Sequence, residues 1–260
     1  MKTPVLIAAF NEESRIGVVL ESLPRELVDP IVAVNGSSDA TAEIARSFGA
    51  TVHEFEEKGK LPALQQSLRR MGDQALHPIL LLDADTRPIF PTAWHNRMVR
   101  ALRPMDETPV VIGAPVRFER NSQDPKSSTA SAAIRSLYRQ IHGATIHPRT
   151  MDTAGGAYYG PNQGFKLAND ELLEQVLALP HVWPKEDLMI AETITEHGGQ
   201  YTQLMDPLAM TVSPESASFV NLIDYVRRSP EDIDADVTKA YRKEAPASSI
   251  SYEQYKAGDI

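Results

Sequence analysis

Three short, almost unbroken apolar runs, at residues 4–10, 30–34 and 79–82, and a more mixed strand pattern at 50–55 alternate with three stretches of helical periodicity. Residues 14–23 repeat Ile16, Val19, Leu20 and Leu23 on one face. Residues 41–48 end at Gly49, a natural C-terminal stop, and residues 60–71 repeat Leu61, Leu64 and Leu68. Strands without a polar face must be buried on both sides. For consecutive strands joined by helices, a parallel sheet with helices on both faces achieves this. The expected class is therefore α/β, with a Rossmann-like, mostly parallel central sheet flanked by helices. Such sheets bind ligands beyond the carboxyl ends of their strands. Three polar loops fall there: Asn11-Glu12-Glu13, Asn35-Gly36-Ser37-Ser38-Asp39 and Asp83-Ala84-Asp85.

The third loop carries the sharpest chemistry. Ile79-Leu80-Leu81-Leu82 runs straight into two carboxylates separated by one alanine. Strand alternation predicts Asp83 and Asp85 on one side and Ala84 on the other. Two hard oxygen donors can hold Mg2+ or Mn2+ and leave the rest of its shell to water and phosphate oxygens, as a nucleoside diphosphate requires. Each loop also has a plainer reading. Asn11-Glu12-Glu13 and residues 35–39 could be turns that cap the following helices, and Asp83 and Asp85 a strand-end turn that caps a later element. Pro184-Lys185-Glu186-Asp187 is a good helix start in its own right.

Composition narrows the partners. Of the 260 residues 42% are hydrophobic and 23% charged, as in an ordinary globular protein, and the net charge of −9 argues against nucleic acid or an extended anionic membrane surface. The absence of cysteine excludes disulfides, thiolate metal sites and cysteine nucleophiles. The first apolar run is short and ends in acids, which reads as a strand and not a signal peptide. No stretch approaches the roughly 20 apolar residues of a membrane span. The expectation is a cytoplasmic protein whose membrane contact, if any, is peripheral. A homo-oligomer is compatible with this composition.

The second half is less regular. The pattern predicts strands at 109–118, 164–167, 200–204 and 209–212, and helices at 130–142, 169–179, 185–197, 218–228 and 232–242. Residues 143–164, rich in glycine, histidine and aromatics, read as a long functional loop. The last fifteen residues are polar and are expected to be poorly ordered.

In chain order, Ala8-Ala9-Phe10-Asn11-Glu12-Glu13, Val34-Asn35-Gly36-Ser37-Ser38-Asp39-Ala40-Thr41, Asp83-Ala84-Asp85 and Glu186-Asp187 resemble the motifs of glycosyltransferase family 2, inverting nucleotide-sugar enzymes with the GT-A fold. The resemblance covers roughly residues 4–205. It implies a catalytic domain at 1–215, with a nucleotide-binding half at 1–105 and an acceptor-binding half at 106–215, followed by a helical extension and tail at 216–260. It implies metal-dependent transfer from a nucleoside-diphosphate sugar, UDP-linked first and GDP-linked next, to an acceptor hydroxyl of unknown identity. By this resemblance Asp85 is a metal ligand, with Asp83 at the metal or ribose. Asp187 is the general base, supported by Glu186. Ala8, Phe10, Glu12, Asn35, Lys60, Asp83 and Ala84 surround the nucleotide. Gly155, Gly156 and Trp183 belong to the donor-sugar and acceptor region, and Arg227 and Arg228 approach the diphosphate or an anionic acceptor.

The chain departs from the family where two aspartates are usual, with Val34 and Asn35 in their place. An asparagine both donates and accepts, so Asn35 leaves the base open. Of His142, His147, His181 and His197, none is singled out as a metal ligand. Two other classes compete. A sugar-phosphate nucleotidyltransferase would carry a basic, glycine-rich first loop, whereas Asn11-Glu12-Glu13 is acidic and follows no glycine. A non-catalytic nucleotide-binding scaffold of the same fold would have no need of three acids at one sheet edge.

Overall fold

The computed structural model describes residues 2–103, 107–118, 157–183, 186–204, 206–213 and 250–251. The expected helices at 130–142, 218–228 and 232–242 lie outside the described residues. So do Gly155, Gly156, Arg227 and Arg228.

The first half follows its pattern closely. β1 (Thr3–Ala9), α1 (Ile16–Glu21), β2 (Val28–Asn35), α2 (Thr41–Ser47), β3 (Thr51–Phe55), α3 (Lys60–Met71) and β4 (Ile79–Asp83) alternate in order. β3, β2, β1 and β4 are parallel neighbours, with Ala8 opposite both Ala33 and Asp83. Alternation of side chains splits these apolar strands between two cores. Leu6, Ala33, Ile79 and Leu81 pack under α3 with Leu61, Leu64 and Leu68. Val5, Ile7, Val32, Leu80 and Leu82 pack on the opposite face with Ile16, Val19 and Leu20 of α1. This double burial explains why the strands read as unbroken apolar runs.

The second half differs more from its pattern. A two-residue strand, β5 (Arg87–Pro88), and a helix, α4 (Pro91–Ala101), follow β4 and were not anticipated. Pro91 at the first position and the buried spacing of Trp94, Met98 and Val99 are signals that could have found the helix. β6 (Val110–Phe118) then pairs with β7 (Ala157–Lys166). Residues 157–163 are thus strand and not loop: β7 runs antiparallel between β4 and β6. One glycine of the expected loop serves close packing. A Cβ on Gly164 would lie 2.9 Å from the carbonyl oxygen of Ile79.

α5 (Asp170–Leu177) is capped by Asn169, whose Oδ1 accepts the Leu172 amide at 2.8 Å. β8 (Val182–Trp183), α6 (Glu186–Glu196), β9 (Gln200–Gln203) and β10 (Thr211–Ser213) complete the order. β11 (Ile250–Ser251), within the expected polar tail, pairs with β8. α5 and α6 add Leu172, Val176, Met189, Ile190 and Ile194 to the α3 side of the sheet. The sheet is parallel over β3-β2-β1-β4 and mixed beyond it. No described helix is long and apolar enough to cross a membrane.

One buried polar contact ties the halves together. Gln65, on α3, donates from Nε2 to the carbonyl oxygens of Val176 and Leu179 at 3.0 and 2.9 Å. These carbonyls belong to the end of α5, where helical partners run out. The amide thus satisfies itself and the helix end together, and fixes α3 against the segment that leads into α6.

Candidate functional site

The loops after β1 and β2 are cross-braced. Asn11 has a φ of 52°, a left-handed conformation that asparagine tolerates better than most residues. Its amide donates to Ser37 Oγ at 3.0 Å, and its Oδ1 accepts from the Ser38 amide at 2.9 Å. The Glu12 amide donates to Thr41 Oγ1 at 2.8 Å. Glu13 donates its amide to Asp39 Oδ2 at 3.1 Å and accepts the Ala40 amide on Oε2 at the same distance. Neither α1 nor α2 has a side-chain cap hydrogen bond among the described residues. The polar residues that could have been caps instead join one loop to the other. Asp39 is held below the ordinary carboxylate range. Burial works against this, but the Thr41 hydroxyl and the Thr41 and Glu13 amides outweigh it.

β4 ends at Asp83, and the Thr86 amide closes a turn onto the Asp83 carbonyl at 3.0 Å. The alternation expected across 83–85 therefore stops at the turn. Ala84 is 4% exposed and packs in the core, so its side chain is closed to a ligand and only its backbone could face one. Asp85 is partly buried, with Oδ1 accepting the Thr86 hydroxyl at 3.1 Å. Burial, and then the charge of Asp83, push its carboxyl above the ordinary range. Glu12 is also raised, by burial first. The Arg15 guanidinium opposes the shift and the Asp85 charge adds to it.

Lys60 binds both remaining acids. Its Nζ lies 2.7 Å from Asp83 Oδ1 and 2.8 Å from Asp187 Oδ2. A lysine in the first turn of α3 is opposed by the helix dipole, and these two carboxylates offset that cost. Asp187 is in the first turn of α6. Burial raises its pKa, the Lys60 charge opposes, and the Asp83 charge adds to the rise. Its Oδ1 is buried without a hydrogen-bond partner among the described residues. Ala8, Lys60, Asp83, Thr86 and Asp187 line one cavity at the carboxyl edge of the sheet.

The other expected residues spread around this centre. Phe10 carries the Lys58 ammonium 5.0 Å from its ring centroid. Asn35 is 5% exposed, and its Oδ1 has no partner among the described residues. Gly36, at φ 71°, makes the turn after it, where a Cβ would meet the Glu56 carbonyl at 3.0 Å. Glu186 opens α6, and Trp183 pairs with Ser251 through β8 and β11. His181 pairs with Glu57 at 3.2 Å, and His197 lies 2.8 Å from the Thr193 carbonyl. Among the described residues, no three histidine or acidic side chains form a group that could hold a metal. Thr86, Asn162 and Gln163, which the sequence reading did not single out, share the cavity. The last two lie in the segment 154–164 that the family resemblance places at the donor sugar and acceptor, but no short-range pattern marks these side chains, because a strand irregularity brings them there.

The Glycosyl transferase family 2 model matches residues 5–175. Among curated proteins, the 4,4'-diaponeurosporenoate glycosyltransferase of Staphylococcus aureus is 52% identical over 50 residues, 18% of this chain and 13% of that relative. The match thus spans only a small part of the relative's length. Among solved structures, glucosyl-3-phosphoglycerate synthase from Mycobacterium tuberculosis, in complex with Mn2+, UDP-glucose and phosphoglyceric acid, is similar at a TM-score of 0.48 and 19% identity. The similarity covers 92% of this chain and 79% of that one. Another crystal structure of the M. tuberculosis synthase gives a TM-score of 0.47 and 20% identity, covering 92% of this chain and 80% of that one. The family match spans well over half of the sequence and takes in β1 to β4 with their loops, so the chain belongs to glycosyl transferase family 2, a family of glycosyltransferases with the GT-A fold.

Proposed function

We propose that this chain is a metal-dependent inverting glycosyltransferase. In this reading it moves a sugar from a nucleoside-diphosphate donor, UDP-linked in preference and GDP-linked next, to an acceptor hydroxyl. One observation carries the reading: Lys60 joins Asp83 to Asp187, 104 positions later, at the edge where an α/β sheet binds ligands. Single displacement at an anomeric carbon needs a base for the incoming hydroxyl and charge neutralisation for the departing diphosphate. Asp187 is the base in this reading. Lys60 holds its Oδ2, and Oδ1 is the oxygen left to accept the proton. A general base so placed contributes roughly 10²–10⁴-fold in rate.

The donor set suits a hard divalent cation. Asp85 and Asp83 offer carboxylate oxygens, and the pKa of Asp85 and of Glu12 is raised by burial first, with the charge of a neighbouring carboxylate adding to the rise. Mn2+ or Mg2+ bound there would supply Lewis-acid neutralisation of the diphosphate. The chain's own residues do the rest. The braced loops present Phe10, Glu12 and Asn35 as the nucleotide floor, and Asn35 Oδ1 is free to accept from a base. Glu186 supports Asp187, and Trp183 offers a surface for a sugar ring.

The test is product analysis on a panel of UDP- and GDP-sugars with Mn2+. The expected result is slow release of UDP or GDP in the wild type and its loss in Asp187→Asn. Release of pyrophosphate from a nucleoside triphosphate and a sugar phosphate would replace this reading with nucleotidyl transfer. Ligand binding that raises Tm without any turnover would leave a nucleotide-binding scaffold.

A further inference from the structure

The pairing of β7 is broken beside the candidate site. Ile112 on β6 faces Gly164, whereas Ala114 faces Gly160, so two residues of advance on β6 match four on β7. The ladder to β4 also stops, with Leu80 opposite Gly164 as its last pair. Asn162 and Gln163 therefore leave both ladders, beyond which β4 runs on to Asp83. Neighbours on a regular strand point to opposite faces. Here both residues line the same cavity as Lys60, Asp83 and Asp187. Bulges next to active sites re-aim side chains in this way.

Both amides are buried, at 4% and 8% exposure, and both carry unused capacity. Asn162 Oδ1 accepts the Gly164 amide at 3.2 Å, which orients the group and leaves Nδ2 as a donor with no partner among the described residues. Gln163 Oε1 is an acceptor in the same condition. Buried polar atoms are nearly always hydrogen-bonded, so two orphans in one cavity call for a ligand. One donates and one accepts, which is the complement of hydroxyl groups. Asp83, on the diphosphate side in the proposed reading, and Asp187, its base, both line this cavity. The group that must sit between a leaving diphosphate and a base is the sugar in transit.

We propose that Asn162 and Gln163 are specificity-determining residues that read hydroxyl groups of the transferred sugar. This rests on the reading of the cavity as the place of glycosyl transfer. A site built to bond a hydroxyl rejects a ligand that lacks it, because its own polar groups are then stranded.

The test is calorimetric titration of the full chain, with Mn2+, by UDP, GDP, UDP-glucose, UDP-N-acetylglucosamine and GDP-mannose. The variants are Gln163→Met, which keeps length and loses the acceptor, and Asn162→Asp, which keeps the bond to Gly164 and loses the donor. The expected result is an approximately tenfold loss of affinity for the preferred nucleotide sugar in each variant, with the bare diphosphate unchanged within about twofold. Single-deoxy versions of that sugar should weaken wild type by a similar factor and at least one variant much less. An unchanged ratio of nucleotide-sugar to nucleotide affinity in both variants overturns the proposal, as it would if water alone satisfied the amides. If Asn162→Asp does not fold, Gln163→Met decides alone. Failure of wild type to bind any nucleotide would sink the proposed function itself, and this inference with it.

Discussion

The two sides of the sheet are built by different rules. From β1 to β4 every strand is parallel, each connection carries a helix, and the first two loops that face the site are tied to each other by hydrogen bonds. From β6 to β10 the sheet is mixed, and the cavity wall comes from a bulge between strands distant in sequence. The first side resembles a fixed floor. The second depends on tertiary pairing, and on one lysine and one glutamine that hold it to the first.

Breaking the chemical link between the sides gives the largest expected effect. Asp187→Asn should lower kcat by roughly 10²–10⁴-fold, with nucleotide affinity from calorimetry close to wild type. Lys60→Met separates the two acids and is expected to cost about tenfold or more in turnover, since it removes the partner that orients Asp187. The pH profile sharpens this. Lys60 pulls the raised Asp187 pKa down, so its loss should move the acidic limb of the rate profile to higher pH. A limb that stays in place would show that Asp187 is not the titrating base.

Stability separates the two sides next. Gly164→Ala forces a methyl against the Ile79 carbonyl at 2.9 Å and should destabilise by about 1–3 kcal/mol, read as a lower midpoint in denaturant. Asp39→Ala, on the first side, removes acceptors from Thr41 and Glu13 and should destabilise by about 1 kcal/mol. The folded pKa of Asp39 is depressed, so its contribution is present above the ordinary aspartate value and fades as pH falls through the depressed one. Asp85 works the other way. Its folded pKa is raised, so the stability linked to it exists below the ordinary value and is lost as pH rises through the raised one. Asp85→Asn should therefore raise Tm at neutral pH, by roughly 2 °C or less, while activity is lost. A fall in Tm would show that the carboxylate is paired more favourably than its surroundings indicate.

What the sequence made legible follows the same division. β1, β2, α2, α3 and β4 could be read because their burial pattern is local and double-sided. The acids of the site could be read because each lies at one end of an element with its own short signature. β7 could not, since Gly160, Pro161 and Gly164 look like loop until β4 and β6 are placed on either side. Nor could the shared direction of Asn162 and Gln163, which comes from a mismatch in pairing. The turn at Asp83 is one of two readings of its segment. An apolar run shows where a strand begins, but the bond from Thr86 sets where it stops.

The bracing of the first two loops has a consequence for how this surface could change. Loops at a protein's rim ordinarily absorb insertions, because their backbone bonds to water. Here each loop supplies the other's partners at fixed offsets, Asn11 to Ser37 and Ser38, Glu13 to Asp39 and Ala40. Adding or removing one residue in either would put every rung of that short ladder out of step. These two solvent-facing segments should thus tolerate a change of side chain far better than a change of length.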